Sequence, residues 1–340
     1  MTVLRYLSKE NSGMSFELSN CTVRTPVTGA EKKLLYRMLA EVFPVEQELF
    51  QQLENGSKHL YNWTPHTLFH LGEPVGNIST VKFTLRSGSG FQETCGFASV
   101  ATVPHCRGKG VAGFLIKIVL QKTDLENLPS ILFTSLPQVY EGSGFKLIPQ
   151  NLLQTDVKKI DLKHDFQMRT IETITNETVQ KLSDIYEISE NAICRDGALR
   201  RDAPYWNIYR DFFNQGSKTR IILCLKNDDI CGYARIEYET GRILLSELNV
   251  SNPRAGYPFH AHEAHTAIWN EVCSAADKKN VRRISIALPE GHELQKVLTH
   301  NDFPLVSETD ARREVFMIRQ PVDKHISWLD TLHWPLSDKF

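Results

Sequence analysis

One order of elements runs through this 340-residue chain twice, and that repetition limits the folds open to it. In the first pass, EKKLLYRMLAEVFPVEQELFQQLE (31–54) spaces its apolar side chains helically and breaks at Pro44, which predicts two helices meeting there. HTLFHL and PVGNISTVKFTL predict strands around a turn at Gly72–Pro74, and TCGFASVATV a third strand. A glycine-rich loop, an apolar-faced helix (VAGFLIKIVLQKT) and two short strands (PSILFTS, FKLIP) follow. Residues 151–169 read as an exit strand and a linker, after which the order restarts. TNETVQKLSDIYEISENAI and YWNIYRDFFNQ predict helices, and TRIILCLKNDDICGYARIEYETGRILLSELNV predicts three strands with turns at Asn227–Asp229 and Thr240–Gly241. A helix (AHTAIWNEVCSAADKK), a strand (RRISIAL) and a closing strand (REVFMIRQ) complete the second pass. The expected organisation is an α/β chain of two domains, 1–155 and 170–320, with an aromatic tail at 321–340.

Bulk properties exclude several classes. Lys and Arg number 39 against 40 Asp and Glu, a net charge of −1, so no basic footprint points to nucleic acid or a membrane surface. The first 20 residues lack the apolar core of a secretory signal, and no apolar run reaches bilayer length. Seven scattered cysteines without a C-x-x-C pair fit reduced thiols in a cytoplasmic protein better than disulfides or a zinc site.

The chemistry concentrates in VPHCRGKGVAGFL (103–115), where Gly108, Gly110 and Gly113 accompany Arg107 and Lys109 between a strand and a helix. Glycine is unfavourable in a helix, so three together predict a close approach of backbone to a ligand. Amides at a helix N-terminus form an anion site, and the two cations reinforce it. The letters match G-x-G-x-x-G, but four residues separate strand from first glycine and the next strand ends in Thr134–Ser135 rather than an acid, against a dinucleotide site. No Gly-Lys-Ser/Thr occurs, which excludes a P-loop.

Arg107-x-x-Gly110-x-Ala112 is the Q/R-x-x-G-x-G/A pattern of the GNAT superfamily of acetyl-CoA-dependent acyltransferases, and VATVP before it and VYEGSGF (139–145) after it resemble that superfamily in the same order. Within it, VATVPHCRGKGVAGFL, TSLPQVYEGSGF, LRRDAPYWNIYR and DDICGYARIEYE resemble the Eis-like (enhanced intracellular survival) acetyltransferases, over most of residues 20–320. Those carry two GNAT domains and a third, sterol-carrier-like domain, for which this chain leaves no room. The resemblance implies two tandem GNAT folds, each a mixed, mostly antiparallel sheet flanked by helices. It also implies an N-acetyltransferase using acetyl-CoA as co-substrate, a primary amine as acceptor, and a homo-oligomer. Val100, Ala101 and Thr102 then lie along the pantetheine arm. Arg107, Gly108, Lys109, Gly110, Val111, Ala112 and Gly113 surround the pyrophosphate. Ser135 and Leu136 fall near the thioester, and Tyr140 is the acid that returns a proton to the leaving thiolate. Eis-like proteins use their C-terminal carboxylate as base, which here is that of Phe340.

The second half is an internal control. Five residues before Phe145 stands Tyr140; five before Phe303 stands Leu298, which cannot donate a proton, and NVSNPRAGYPFHAHEAH carries no R-x-x-G-x-G/A. The second domain is therefore expected to be degenerate. His260, His262 and His265 form H-x-H-x-x-H, but no cysteine or carboxylate set completes a shell, so no metal is expected. Cys106 lies at the wrong end of the cofactor for an acyl-cysteine. Glu41, Glu46, Glu48 and Glu54, with Phe43, Phe50, Tyr61 and Trp63, offer an acidic and aromatic surface suited to a cationic acceptor. The alternative to an enzyme is a CoA-binding regulatory or interaction module without turnover.

Overall fold

The computed structural model describes residues 16–43, 50–51, 63–88, 90–189, 196–215, 218–251, 261–309 and 314–331. The first pass contains β1 (Cys21–Arg24), α1 (Gly29–Val42), β2 (Thr64–His70), β3 (Glu73–Ser87), β4 (Gly90–Thr102), α2 (Val111–Leu125), β5 (Ser130–Thr134), the single turn α3 (Gln138–Glu141), β6 (Lys146–Ile148) and β7 (Asn151–Asp156). The second contains β8 (Gln167–Ile171), α4 (Asn176–Ile188), α5 (Ala203–Gln215), β9 (Thr219–Lys226), β10 (Asp229–Glu239), β11 (Arg242–Val250), α6 (Ala261–Lys278), β12 (Arg283–Ile286), α7 (Glu293–His300), β13 (Val306–Thr309) and β14 (Val315–Arg319).

Local chemistry accounts for the boundaries. Thr28 and Glu31 cap α1 reciprocally, and the helix ends at Phe43, whose extended φ of −101° and ψ of 129° is what the residue before a proline prefers. The β9–β10 hairpin turns through Asn227 and Asp228, both at positive φ, and β10–β11 through Gly241 at φ 77°. The second of the two helices expected around Pro44 lies largely outside the described residues.

The sheets are where the structure departs from expectation. The first runs β1-β2-β3-β4-β5-β14-β6 and the second β8-β9-β10-β11-β12-β7-β13, read from the β8 edge. The two orders match position for position, except that each repeat's closing strand sits in the other repeat's sheet. Residues 151–156, expected to close the first domain, pair antiparallel with β12 and β13; the strand expected to close the second pairs antiparallel with β5 and β6. A boundary near residue 155 thus severs β7 from its own sheet, and one at 320 assigns β14 to the wrong one. Apolar patterning identifies a strand but is silent about its partner.

A shared core reinforces the exchange. Helices α4 and α5 bury Leu182, Ile185, Trp206 and Phe213 among Ile221 and Leu223 of the second sheet and Phe83, Leu85, Ile131, Phe316 and Ile318 of the first. Arg86 of β3 exchanges backbone hydrogen bonds with the 197–200 segment: its N–H donates to Ala198 O at 2.9 Å and its carbonyl accepts from Gly197 N–H at 2.8 Å. The tail packs there too, with Leu329 fully buried and the Trp328 indole donating to Ser87 Oγ at 3.0 Å. No described helix is long and apolar enough to cross a membrane.

The shared sheets and the buried histidines each make a measurable difference. Because each sheet contains a strand of the other repeat, urea unfolding followed by tryptophan fluorescence and by far-UV circular dichroism should give one coincident transition; two resolved transitions would contradict the shared sheets. Acid should weaken the fold through two buried histidines. Burial lowers His66, helped by nearby Lys122, and lowers His265, each from an ordinary 6.5 to about 4. Between those values the unfolded chain binds protons that the folded chain refuses, so stability is intact above pH 6.5 and declines toward pH 4. Each group contributes up to about 1.4 kcal/mol per pH unit across that window. Urea midpoints measured through it should fall, and fall less in the His66→Gln, His265→Gln double variant.

Candidate active site

Strands β4 and β5 run parallel and pair at Cys95↔Ser130, Gly96↔Ile131 and Phe97↔Leu132, and then separate. Beyond Phe97, β4 stays paired with β3 but turns its other edge to open space. The separation coincides with a bulge, where Ser99 takes φ 48°, uncommon for a residue with a side chain. Buried Asn77 holds that kink: its amide donates to Ser99 O and to Ser79 Oγ, both at 3.0 Å, while its Oδ1 accepts from Thr67 at 2.9 Å. Neither Asn77 nor Ser99 carries a sequence signal that distinguishes it from an ordinary strand residue.

The gap is a cleft of about 580 Å³. One end is the start of α2, where Gly108 (φ 73°) and Gly110 (φ 80°) shape the entry and Gly110 is the N-cap. The first-turn amides of α2 have no acceptor within the helix and lie at the cleft. Gly76 lets α2 approach this closely, since a Cβ there would stand 2.5 Å from Val111 Cγ1 and 3.3 Å from Ala101 O. Arg107 donates from Nε to Thr102 O at 3.3 Å.

The other end holds Tyr140, 5% exposed, on the single turn α3. Its ring packs edge-on against Phe145 at 5.8 Å, and Phe145 against Phe97 at 5.5 Å, so the phenol is held by the strand that borders the gap. Burial pushes the phenol up to about 12, against a smaller opposing effect of a hydrogen bond from Thr134. The Leu136 amide donates to Thr134 Oγ1 at 2.9 Å, beside the phenol.

The expected site residues therefore meet in one place. Val100, Ala101, Thr102, Arg107, Gly108, Gly110, Val111, Ala112, Gly113, Ser135, Leu136 and Tyr140 all line the cleft. Lys109 is not among its lining; its ammonium lies 5.4 Å over the Phe16 ring. Phe340, Glu46, Glu48, Glu54 and Tyr61 lie outside the described residues. Phe43 borders the cleft, but Glu41 lines a separate hollow with Arg37 and His70, which corrects its expected place in an acceptor surface. Sequence reasoning missed Phe97, Ala98, Phe133, Thr134 and Glu314, all in the lining. Cys106 also lines the cleft, and burial pushes its thiol up, with Lys109 opposing, which disfavours a resting thiolate. His265 is buried, its Nδ1 2.7 Å from Ala261 O and its ring 5.5 Å from that of His292, and no cluster of three ligating side chains occurs among the described residues.

The same divergence occurs in the second sheet and is filled by protein. β11 and β12 pair through Leu245↔Ile286, with a bulge in β11 beside that pair, and then part. There His292 lies with Nε2 3.2 Å from Leu248 O while its Nδ1 accepts from Leu294 N–H, so the neutral ring donates to the freed strand edge. Arg201 reaches Glu247 Oε1 at 2.5 Å, Tyr233 donates to the same oxygen at 2.6 Å, and Asn249 bonds both. A void of about 40 Å³ remains. Leu298, the counterpart of Tyr140, is fully buried in the apolar core.

No protein-family model and no curated protein matches the sequence, whereas solved structures do. A conserved protein from Enterococcus faecalis V583, a probable N-acyltransferase, superposes with a TM-score of 0.65 at 15% identity over 88% of this chain and 72% of that one. Eis1 from Mycobacterium abscessus gives 0.60 at 14%, over 88% and 73%. A tandem GNAT protein from the clavulanic acid biosynthesis pathway gives 0.50 at 14%, over 88% and 98%. The fold is the tandem GNAT fold. The first repeat has an open cleft, and the second a filled one.

The packing of Gly76 against α2 can be probed directly. Gly76→Ala should displace Val111 and the helix start, costing about 1–3 kcal/mol of stability as overpacking does. Thermal unfolding would detect that loss, and an unchanged midpoint would mean that α2 is free to shift.

Proposed function

We propose that this chain is an acetyl-CoA-dependent N-acetyltransferase whose first repeat carries the chemistry. The observation that carries this reading is the parting of β4 from β5 into a cleft with a helix N-terminus at one end and a buried tyrosine at the other. The exposed edge of β4 over 98–102 offers amide and carbonyl groups to a pantetheine arm as a strand would. The first-turn amides of α2, with Arg107, suit a diphosphate. The thioester then falls beside Ser135, Leu136 and Tyr140. The acceptor nitrogen bonds to the acetyl carbon, the C–S bond breaks with its electron pair on sulfur, and Tyr140 gives its proton to that thiolate. A phenol held near 12 stays protonated at neutral pH, so its proton is in place when the thiolate forms. Cys106, its thiol raised, plays no covalent part. The filled second cleft supports a partner repeat without cofactor, and a molecule operating in the cytoplasm remains the reading from composition and cysteine usage.

Thermal unfolding with and without acetyl-CoA tests the cofactor assignment. A ligand at 100 times its dissociation constant should add about 2.7 kcal/mol to wild type. A Cβ at Gly113 would meet open space, and the backbone there has no positive φ. Gly113→Asp should therefore fold, with its carboxylate favourably placed in the first turn of α2. It should also repel the diphosphate and abolish the shift; a shift retained in full would remove the loop from the site. Tyr140→Phe should keep the shift and lower kcat by about 10²–10⁴-fold. Cofactor protection without CoA release from wild type and any amine would favour the binding module instead.

A further inference from the structure

Among the described residues lining the cleft, Glu314 is the one carboxylate, and it comes from the far end of the chain. It immediately precedes β14, the strand exchanged from the second repeat. Val315 pairs with Thr134 in the antiparallel ladder, so Glu314 falls opposite Ser135, at the end of β5 where the gap is open. Alternation along β14 assigns its face. Val315 and Met317 pack with Tyr140 in the helix-side core, while Phe316 and Ile318 pack with Ala98 and Phe133 in the core between the sheets. With the two-residue period of a strand, Glu314 shares the second face, across the gap from Tyr140.

The strand is held at its other end by a built contact. Arg319 makes a two-pronged ion pair with Asp124 at the end of α2, at 2.5 and 3.0 Å, and donates from Nε to Ser143 O at 3.0 Å in the loop after Tyr140. One side chain thus ties β14 to the end of α2 and to the loop after Tyr140. Arg107, the one cation of the described lining, lies at the opposite, anion-binding end.

A thioester seated in the gap has two sides. On the Tyr140 side a proton donor awaits the sulfur. On the other side lies the exposed carboxylate of Glu314. A primary amine is an ammonium at neutral pH and is no nucleophile until it loses a proton. We propose that Glu314 binds the ammonium of a cationic primary amine and takes its proton, so that the second repeat completes the first repeat's active site. The inference rests on the acetyltransferase reading. In the balanced step, one N–H proton of the ammonium passes to the Glu314 carboxylate, and the freed nitrogen pair forms the C–N bond. The C–S pair leaves on sulfur and takes the Tyr140 proton, and the second N–H proton, made acidic by the new bond, leaves through solvent to restore the Tyr140 phenol.

The test uses the full chain, acetyl-CoA, and three probe acceptors: spermidine, Nα-acetyl-lysine and 2-deoxystreptamine. Glu314→Gln should lose about 10²–10⁴-fold in kcat/KM on the amine that wild type acetylates, with its acetyl-CoA thermal shift unchanged. Glu314→Ala should recover turnover on addition of formate, a response that a merely structural residue would not give. A Glu314→Gln enzyme as active as wild type overturns the proposal and leaves the acetyltransferase reading in place. Wild type without an acetyl-CoA shift overturns the reading beneath it. Wild type that shifts with acetyl-CoA yet acetylates none of the three amines overturns the assigned acceptor class.

Discussion

Neither sheet is complete without a strand from the other repeat, and the positions of the functional side chains depend on that exchange. β14 is interior to the first sheet, hydrogen-bonded on both edges, so removing it would free β6 and leave the edge of β5 bare. Through Arg319 it fixes the end of α2 and the loop behind Tyr140; at its head it carries Glu314. The duplication is thus structural in a stronger sense than two domains in series. The first repeat borrows part of its site, and the second repeat's sheet borrows β7 in return.

What turns a sheet into a site is a local surrender of hydrogen bonds. After Phe97 the edge of β4 gives up β5, a costly act for buried backbone unless something else satisfies it. The two repeats resolve the same opening differently. In the first, glycines and a helix start leave room for a ligand of cofactor length. In the second, His292 reaches the freed Leu248 carbonyl, Arg201, Glu247, Tyr233 and Asn249 bond one another beside it, and about 40 Å³ is left where the first has about 580 Å³. The pair of clefts is its own comparison: one fold, one bulge, and two ways of satisfying the freed strand.

The sequence carried much of this, though unevenly. The glycines at 108 and 110 were legible because few other residues tolerate the positive φ they adopt, and Gly113 through its place in the same run. Tyr140 was legible through the resemblance of VYEGSGF, a segment whose short turn sets Tyr140 against Phe145 and Phe145 against Phe97. The repeated order of elements was legible because helical and strand periods differ. The exchange of closing strands was not, since period 2 is the same whichever sheet receives the strand. Glu314 escaped for the same reason: before an apolar strand it resembles any surface glutamate, and only the unexpected address of β14 brings it to the cleft. Glu41 misled in the opposite sense, since its helix packs by the cleft while its own face turns to a different hollow.

The filled second cleft has a consequence for the first. Arg201 is not only the partner of Glu247; its guanidinium lies 4.1 Å from the Tyr186 ring and within 6 Å of Tyr205, Trp206 and Tyr209. Those rings belong to the core that joins the two sheets and includes Phe316 and Ile318 of β14. A buried ion pair is seldom a net source of stability against an apolar substitute, but breaking one by removing a partner costs several kcal/mol, about 3–5. Loosening the second cleft to readmit a ligand would therefore slacken the packing against which β14 is set, and with it the carboxylate at its head. The second repeat thus has a structural task here, which is to hold still the strand that it lends.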